Sequence, residues 1–329
     1  MVPQISIAFQ TDKPLSAYGS LAARAESYGF DGVSVYNDML YQPAWLPLLE
    51  IARHTRRVRI GPAAVNPFTS HPINIAGNMA IIDAASNGRA YCGFARGAWL
   101  DFLGLNPSKP ISALREAMAC VRHLLRRDEN PFIGEHFRIQ GGDSLRWQEI
   151  RPDIPFLLGS WGRKTIEACL PLAAEIKLGG TANPGAVRDL KSFLKQRSAD
   201  AEVVVGAVTV VDKDGSAARD HARREAALYL PVVAGLDSTV MIEADRLNGI
   251  REAMQQYDVE KAVTYISDDL LSKFVFAGTP NEIIVQTLEL FAAGVDRVEF
   301  GTPHGLSSES GLALLGEIVL PEVRSALSR

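Results

Sequence analysis

Five short stretches of this 329-residue chain hold residue types suited to chemistry. "LLGSWGRKT" leaves an apolar run through Gly159, Ser160, Trp161 and Gly162 and enters a helical pattern at Arg163. Glycines let backbone N–H groups approach a ligand closely, and a helix start adds further N–H donors and a positive dipole end. With Ser160 and Arg163 as side-chain donors the stretch suits a phosphate, and it equally suits a tight strand-to-helix turn with Ser160 near the cap. "IKLGGTANP" repeats the arrangement at Gly179 and Gly180. "YNDML" places Asp38 beside Asn37 after an apolar run, where a carboxylate either holds a polar ligand edge or caps the following turn. In "TSHP", Pro72 restrains His71 toward extended backbone and leaves both an acid/base and a structural role open. "ARGAWLDF" carries Arg96, Trp99 and Asp101, with Trp99 placed to stack on a planar ligand or to pack a lid.

Other chemistries lack their residues. There is no HExxH, P-loop, GxSxG or metal-ligand spacing, so no metal site is expected. Cys92, Cys120 and Cys169 are far apart and read as core thiols of a reducing compartment. A net charge of -4 argues against nucleic-acid or anionic-membrane partners. No basic, apolar leader and no membrane-length apolar run is present, which points to a cytoplasmic protein acting on a small molecule.

The elements that must position these residues alternate from end to end. Strand patterns at 5–9, 32–36, 58–65, 89–95, 155–160, 175–180, 202–211 and 297–303 are each followed by a helical pattern. Most are continuously apolar, as strands buried on both faces are in a parallel sheet. Eight such units predict a single α/β domain over 1–329, a (β/α)8 TIM barrel rather than an open doubly wound sheet. Segments 131–150 and 231–276 are then insertions, the second one helical. In a barrel the chemistry lies just after the strand ends, where all five stretches fall.

The order of "DKP", "GPAAVNPFTSHP" with "IDAASNGRA", "DIPFLLGSWG", "AAEIKLGGTANP", "FAGTPNEI" and "AGVDRVEFGTPHG" resembles the bacterial luciferase-like superfamily. Within it the chain is similar to the coenzyme F420-dependent methylenetetrahydromethanopterin reductase family. The resemblance implies a TIM barrel with insertions and hydride transfer between coenzyme F420 and a small organic substrate. An FMN-dependent monooxygenase is the alternative, and a non-catalytic flavin-binding barrel a second one. It further implies a non-prolyl cis peptide at Ala63–Ala64 under the cofactor ring, with Asn66 fixing the exit of that turn. Asp38 would lie near the ring as a catalytic group, with His71 a second catalytic candidate. Gly159, Ser160, Trp161, Gly162, Arg163, Gly179 and Gly180 would lie around the cofactor phosphate. Such barrels commonly form homodimers or higher homo-oligomers. The chain departs from the pattern at Met39, where relatives have His after the Asp, at Phe9–Gln10, where reductases have an acid, and in "FARGAW".

Overall fold

The computed structural model describes residues 2–147 and 150–329. Gln148 and Glu149, at the end of the expected 131–150 insertion, lie outside the described residues, as does Met1. The described strands are β1 (Gln4–Phe9), β2 (Gly32–Val35), β3 (Arg59–Pro62), β4 (Cys92–Ala95), β5 (Phe132–Ile133), β6 (Arg138–Ile139), β7 (Phe156–Gly159), β8 (Glu175–Gly179), β9 (Glu202–Val211), β10 (Phe276–Gly278) and β11 (Arg297–Gly305). All eight expected strands are present. The chain forms two compact units, one of Phe9–Ser27 with Asp31–Ile176, the other of Met1–Ala8, Tyr28–Phe30 and Lys177–Arg329.

In the unit built around residues 31–176, β2 pairs in parallel with β3 and β4 in parallel with β7. Isolated parallel bridges, Ile60 to Ala90 and Val65 to Phe94, join β3 to β4. The strands approach this closely because they carry glycine at the crossing. A side-chain carbon on Gly93 would lie 2.2 Å from the Pro62 carbonyl oxygen, and one on Gly61 would lie 2.3 Å from that of Tyr91. Burial of Val33, Val35, Ile60, Phe94 and Phe156 supplies the core between strands and helices, about 1.5–3 kcal/mol for each large side chain.

Polar side chains then fix where the strands begin. The Arg89 guanidinium donates to the carbonyls of Val58, Thr55, Ala52 and Ser86 and to the Thr55 hydroxyl. Asp83, buried in the helix Pro72–Ala85, accepts two bonds from Arg151 and a third from the Ala90 amide. Both residues belong to "IDAASNGRA", so that motif sets the start of β4 and not the chemistry. Expected insertion 131–150 begins as the β5–β6 hairpin, antiparallel, with its turn amides at Glu135, His136 and Phe137 held by the Glu116 carboxylate.

In the other unit the strand order is β1-β11-β9-β8, with β10 paired in parallel to β9. These strands are less uniformly apolar than the pattern suggests. Ser6, Lys177, Arg297 and Glu299 are all buried, and Glu299 is shared by Lys177, Arg297 and the Ser6 hydroxyl. Segment 231–276 is helical through Asp268–Phe274 but ends in β10, whose three residues are too short a run to stand out beside the helices. Its helices bury Ile250, Ala253, Leu271 and Phe274 against Ala218, Ala222 and Ala226 of the helix Gly215–Ala227. The helix Pro280–Ala292 follows, opened by a capping box in which Thr279 and Glu282 satisfy each other's backbone amides. All three cysteines are buried, and burial raises their thiols, Cys120 to about 12 and Cys169 to about 11.

Glu26 ties the helix Leu15–Tyr28 to the approach to β3 by accepting from the amides of Arg56, Arg57 and Val58. Burial alone raises its carboxyl, but the Val58, Arg57 and Arg56 amides outweigh it and hold the group below the ordinary glutamate range. The bonds therefore stabilise the fold in full above about pH 4.3 and are lost as pH falls through the lower folded value. Glu26→Gln, uncharged, is expected to cost about 1–2 kcal/mol at pH 7 and little at an acid pH below the lowered folded value. Urea unfolding at both pH values checks this, and an equal loss at both contradicts it.

Candidate active site

Asp38, Ala63–Ala64, Arg96–Trp99 and Gly159–Arg163 follow the carboxyl ends of β2, β3, β4 and β7 within one unit. Strand β3 stops at Pro62, three residues short of the expected end, and the Ala63–Ala64 peptide bond is cis. The Val65 amide then donates to the Gly93 carbonyl, and its own carbonyl accepts from Ala95. Both alanines are half-buried, and neither side chain extends beyond a methyl group. Asn66 holds the turn that follows: its Oδ1 accepts from the Phe68 amide at 3.0 Å, the Thr69 amide at 3.0 Å and the Thr69 hydroxyl at 3.1 Å.

The two roles open to Asp38 divide between neighbours. Asn37 Oδ1 accepts from the Ala44 amide and so caps the next turn. The Asp38 carboxylate instead accepts from the Gln10 side-chain amide at 2.9 Å. Gln10 is, with Phe9, a departure from the resemblance, and its role as a partner to Asp38 has no sequence signal beyond its place just after β1. His71 caps the helix Pro72–Ala85, its Nδ1 accepting from the Ile73 amide at 3.2 Å, and its ring meets Phe137 edge-on at 5.5 Å. That acceptance commits Nδ1 and puts the ring proton of neutral His71 on Nε2.

Ser160 Oγ accepts from the Gly162 amide at 3.2 Å, so the tight-turn role is filled while the hydroxyl proton stays available to a ligand. Arg163 opens a helix of seven residues, Arg163–Cys169, much shorter than its sequence pattern suggests because Pro171 follows closely. The side-chain donors here are the Ser160 hydroxyl and the half-buried Arg163 guanidinium, a pair suited to a phosphate oxyanion, while the Gly162 amide is taken by Ser160 Oγ. In the other unit, Gly179 has no atom within 4 Å of a side-chain position, while Gly180 has φ +74° and packs on Val233. The rest of "GGTANP" is taken up structurally: Thr181 Oγ1 donates to the Lys273 carbonyl, and Asn183 bonds Asp237 and Thr239.

The profile of the luciferase-like monooxygenases matches residues 3–297. The chain belongs to that family. A 5,10-methylenetetrahydromethanopterin reductase from Archaeoglobus fulgidus is 29% identical over 324 residues, covering 91% of this chain and 93% of that protein. The enzyme of the same name from Methanopyrus kandleri is 28% identical over 95% of this chain and 96% of its own. The solved structure of the coenzyme F420 dependent tetrahydromethanopterin reductase from Methanopyrus kandleri superposes with a TM-score of 0.87 at 23% identity, over 98% of this chain and 100% of that one. The fold is therefore the (β/α)8 TIM barrel with insertions, of the luciferase type. Among the described residues no helix is long and apolar enough to cross a membrane, and no group of three or more His, Cys, Asp and Glu is placed to hold a metal ion.

Removing Asn66 Oδ1 leaves two amides of the turn without their acceptor. Asn66→Ala is expected to destabilise the protein by about 2 kcal/mol, while Asn66→Asp, which keeps an acceptor oxygen, costs less than half as much. Chemical denaturation of both variants checks the order, and equal losses contradict it.

Proposed function

We propose that this chain is an oxidoreductase that passes a hydride between coenzyme F420 and a small organic substrate. The observation that carries this is the end-to-end similarity to the 5,10-methylenetetrahydromethanopterin reductases, over nine-tenths of both chains and not over one motif.

The residues at the strand ends fit such a coenzyme. Ala63 and Ala64 offer a nearly bare backbone to one face of a flat ring, and Asn66 keeps the turn beside it rigid. Ser160 and Arg163 would hold the phosphate through hydroxyl and guanidinium donors, with the Gly162 amide fixing the Ser160 hydroxyl oxygen. When bound, the coenzyme supplies the carbon that gives or takes the hydride. Asp38 orients a polar edge of the ring or substrate, and Gln10 in turn fixes the Asp38 carboxylate. His71 acts from the side as a hydrogen-bond donor through Nε2, since Nδ1 is committed to the helix cap. With Met39 in place of the histidine of relatives, the polar contact from this loop rests on Asp38.

A second reading keeps the same residues and fills them with FMN for luciferase-type monooxygenation. It is favoured by the family's own description as luciferase-like monooxygenases. Titration of the purified protein with coenzyme F420 and FMN side by side, followed by Trp fluorescence, separates the two. Coenzyme F420 is expected to bind in the micromolar range and FMN at least about tenfold more weakly, a gap of about 1.4 kcal/mol. Ser160→Ala should weaken the coenzyme about fivefold and leave the fold intact. The reverse preference establishes the FMN reading, and binding of neither below about millimolar concentration overturns both.

A further inference from the structure

The loops beside the proposed site carry bulky apolar side chains facing solvent. Leu40 and Tyr41 follow β2 and are 84% and 49% exposed; Trp99, Phe102 and Leu103 follow β4 and are 51%, 68% and 47% exposed. Parallel pairing of β2 with β3 and bridging of β3 to β4 put both loops at one end of the same strands, on either side of Ala63–Ala64. The β4 loop is seated against the β3 turn, because a side-chain carbon on Gly97 would lie 2.9 Å from Asn66 Nδ2.

Two of the five residues occupy backbone that their types rarely adopt. Leu40 has φ 67° and Trp99 φ 52°, in the left-handed region, which Tyr257 outside this site shares at φ 57°. The charged groups of the same loops near the strand ends are Asp38, already bonded to Gln10, Arg96 and Asp101, while Lys109 at the far end of the β4 loop is paired with Glu135. One cation among two carboxylates is no surface for an anionic substrate.

We propose that the substrate of this site has an uncharged, apolar body, an aromatic or alkyl ring system, held by Leu40, Tyr41, Trp99, Phe102 and Leu103. This rests on the reading that the ends of β2, β3 and β4 carry the reaction. It sets the substrate apart from highly charged compounds: desolvating a carboxylate among these side chains is unfavourable, whereas covering them with a ring removes apolar surface from water.

The probes are 2-naphthalenemethanol and 2-naphthoate, alike in ring and different in charge, measured by calorimetry on the full chain with and without coenzyme F420. The alcohol is expected to bind about tenfold more tightly than the carboxylate. Trp99→Ala and Phe102→Ala should each weaken the alcohol severalfold and leave coenzyme affinity unchanged. Tyr257→Ala, a 90% exposed aromatic in the other unit, is the control and should change neither. Equal or reversed preference between the probes overturns the proposal, as does an effect of Tyr257→Ala matching that of Trp99→Ala. If coenzyme F420 fails to bind while the alcohol preference and its loss in the two variants persist, the hydride-transfer reading falls and the apolar binding surface stands.

Discussion

The close passage of β3 past β4 is the constraint on which the proposed site depends. Gly61 and Gly93 remove the side chains that would otherwise separate the strands, and each stands within van der Waals reach of the other strand's carbonyl. Pairing across this junction is sparse, two isolated bridges instead of a continuous ladder. After Pro62 the Ala63 amide still bonds to the Val35 carbonyl of β2, and with so little pairing to β4 the backbone bends there and meets β4 again at Val65, whose amide and carbonyl bond to it. The two residues between Pro62 and Val65 are the alanines proposed to lie beneath the cofactor ring. A larger residue at either glycine would push the strands apart and move the alanines with them.

Around that junction, charged side chains act as pins for backbone groups. Arg89, Asp83 and Glu26 together satisfy carbonyls and amides of the segments that start β3 and β4. Such bonds to charged groups contribute more than neutral ones, about 1.5–3 kcal/mol each. The loops at the opposite strand ends are thus free to vary in sequence, and here they carry Leu40 and Trp99 in left-handed backbone. The division follows the ordinary logic of a barrel, with stability at the amino ends of strands and chemistry at the carboxyl ends.

The strands and their helices were legible because buried parallel strands are nearly unbroken apolar runs, and the eight patterns match eight strands. Strand β10 was not, since "FAG" is too short to show a period; the Thr279–Glu282 spacing was the available signal that a further helix, Pro280–Ala292, begins there. "EIKLGG" and "RVEFGTP" also hold a signal, their charges alternating with apolar residues, and the charged positions Lys177, Arg297 and Glu299 turn out to be buried and mutually paired. At the candidate site, residue types marked loops that follow strand ends but not the division of labour within them. That Asn37 caps the turn while Asp38 receives Gln10, and that His71 closes a helix, depends on which atoms meet across the fold. "IDAASNGRA" supports the resemblance through strand anchoring alone.

The central claim is that the backbone around Ala63–Ala64 and the Gly159–Arg163 turn together receive the coenzyme. Amide hydrogen–deuterium exchange of the full chain, with and without saturating coenzyme F420, tests it most directly. The predicted result is slowed exchange in peptides covering residues 62–70 and 159–163, with little change in those covering the helices of 244–274. Unchanged exchange at both strand ends under saturation, or protection confined to the 244–274 helices, would contradict it.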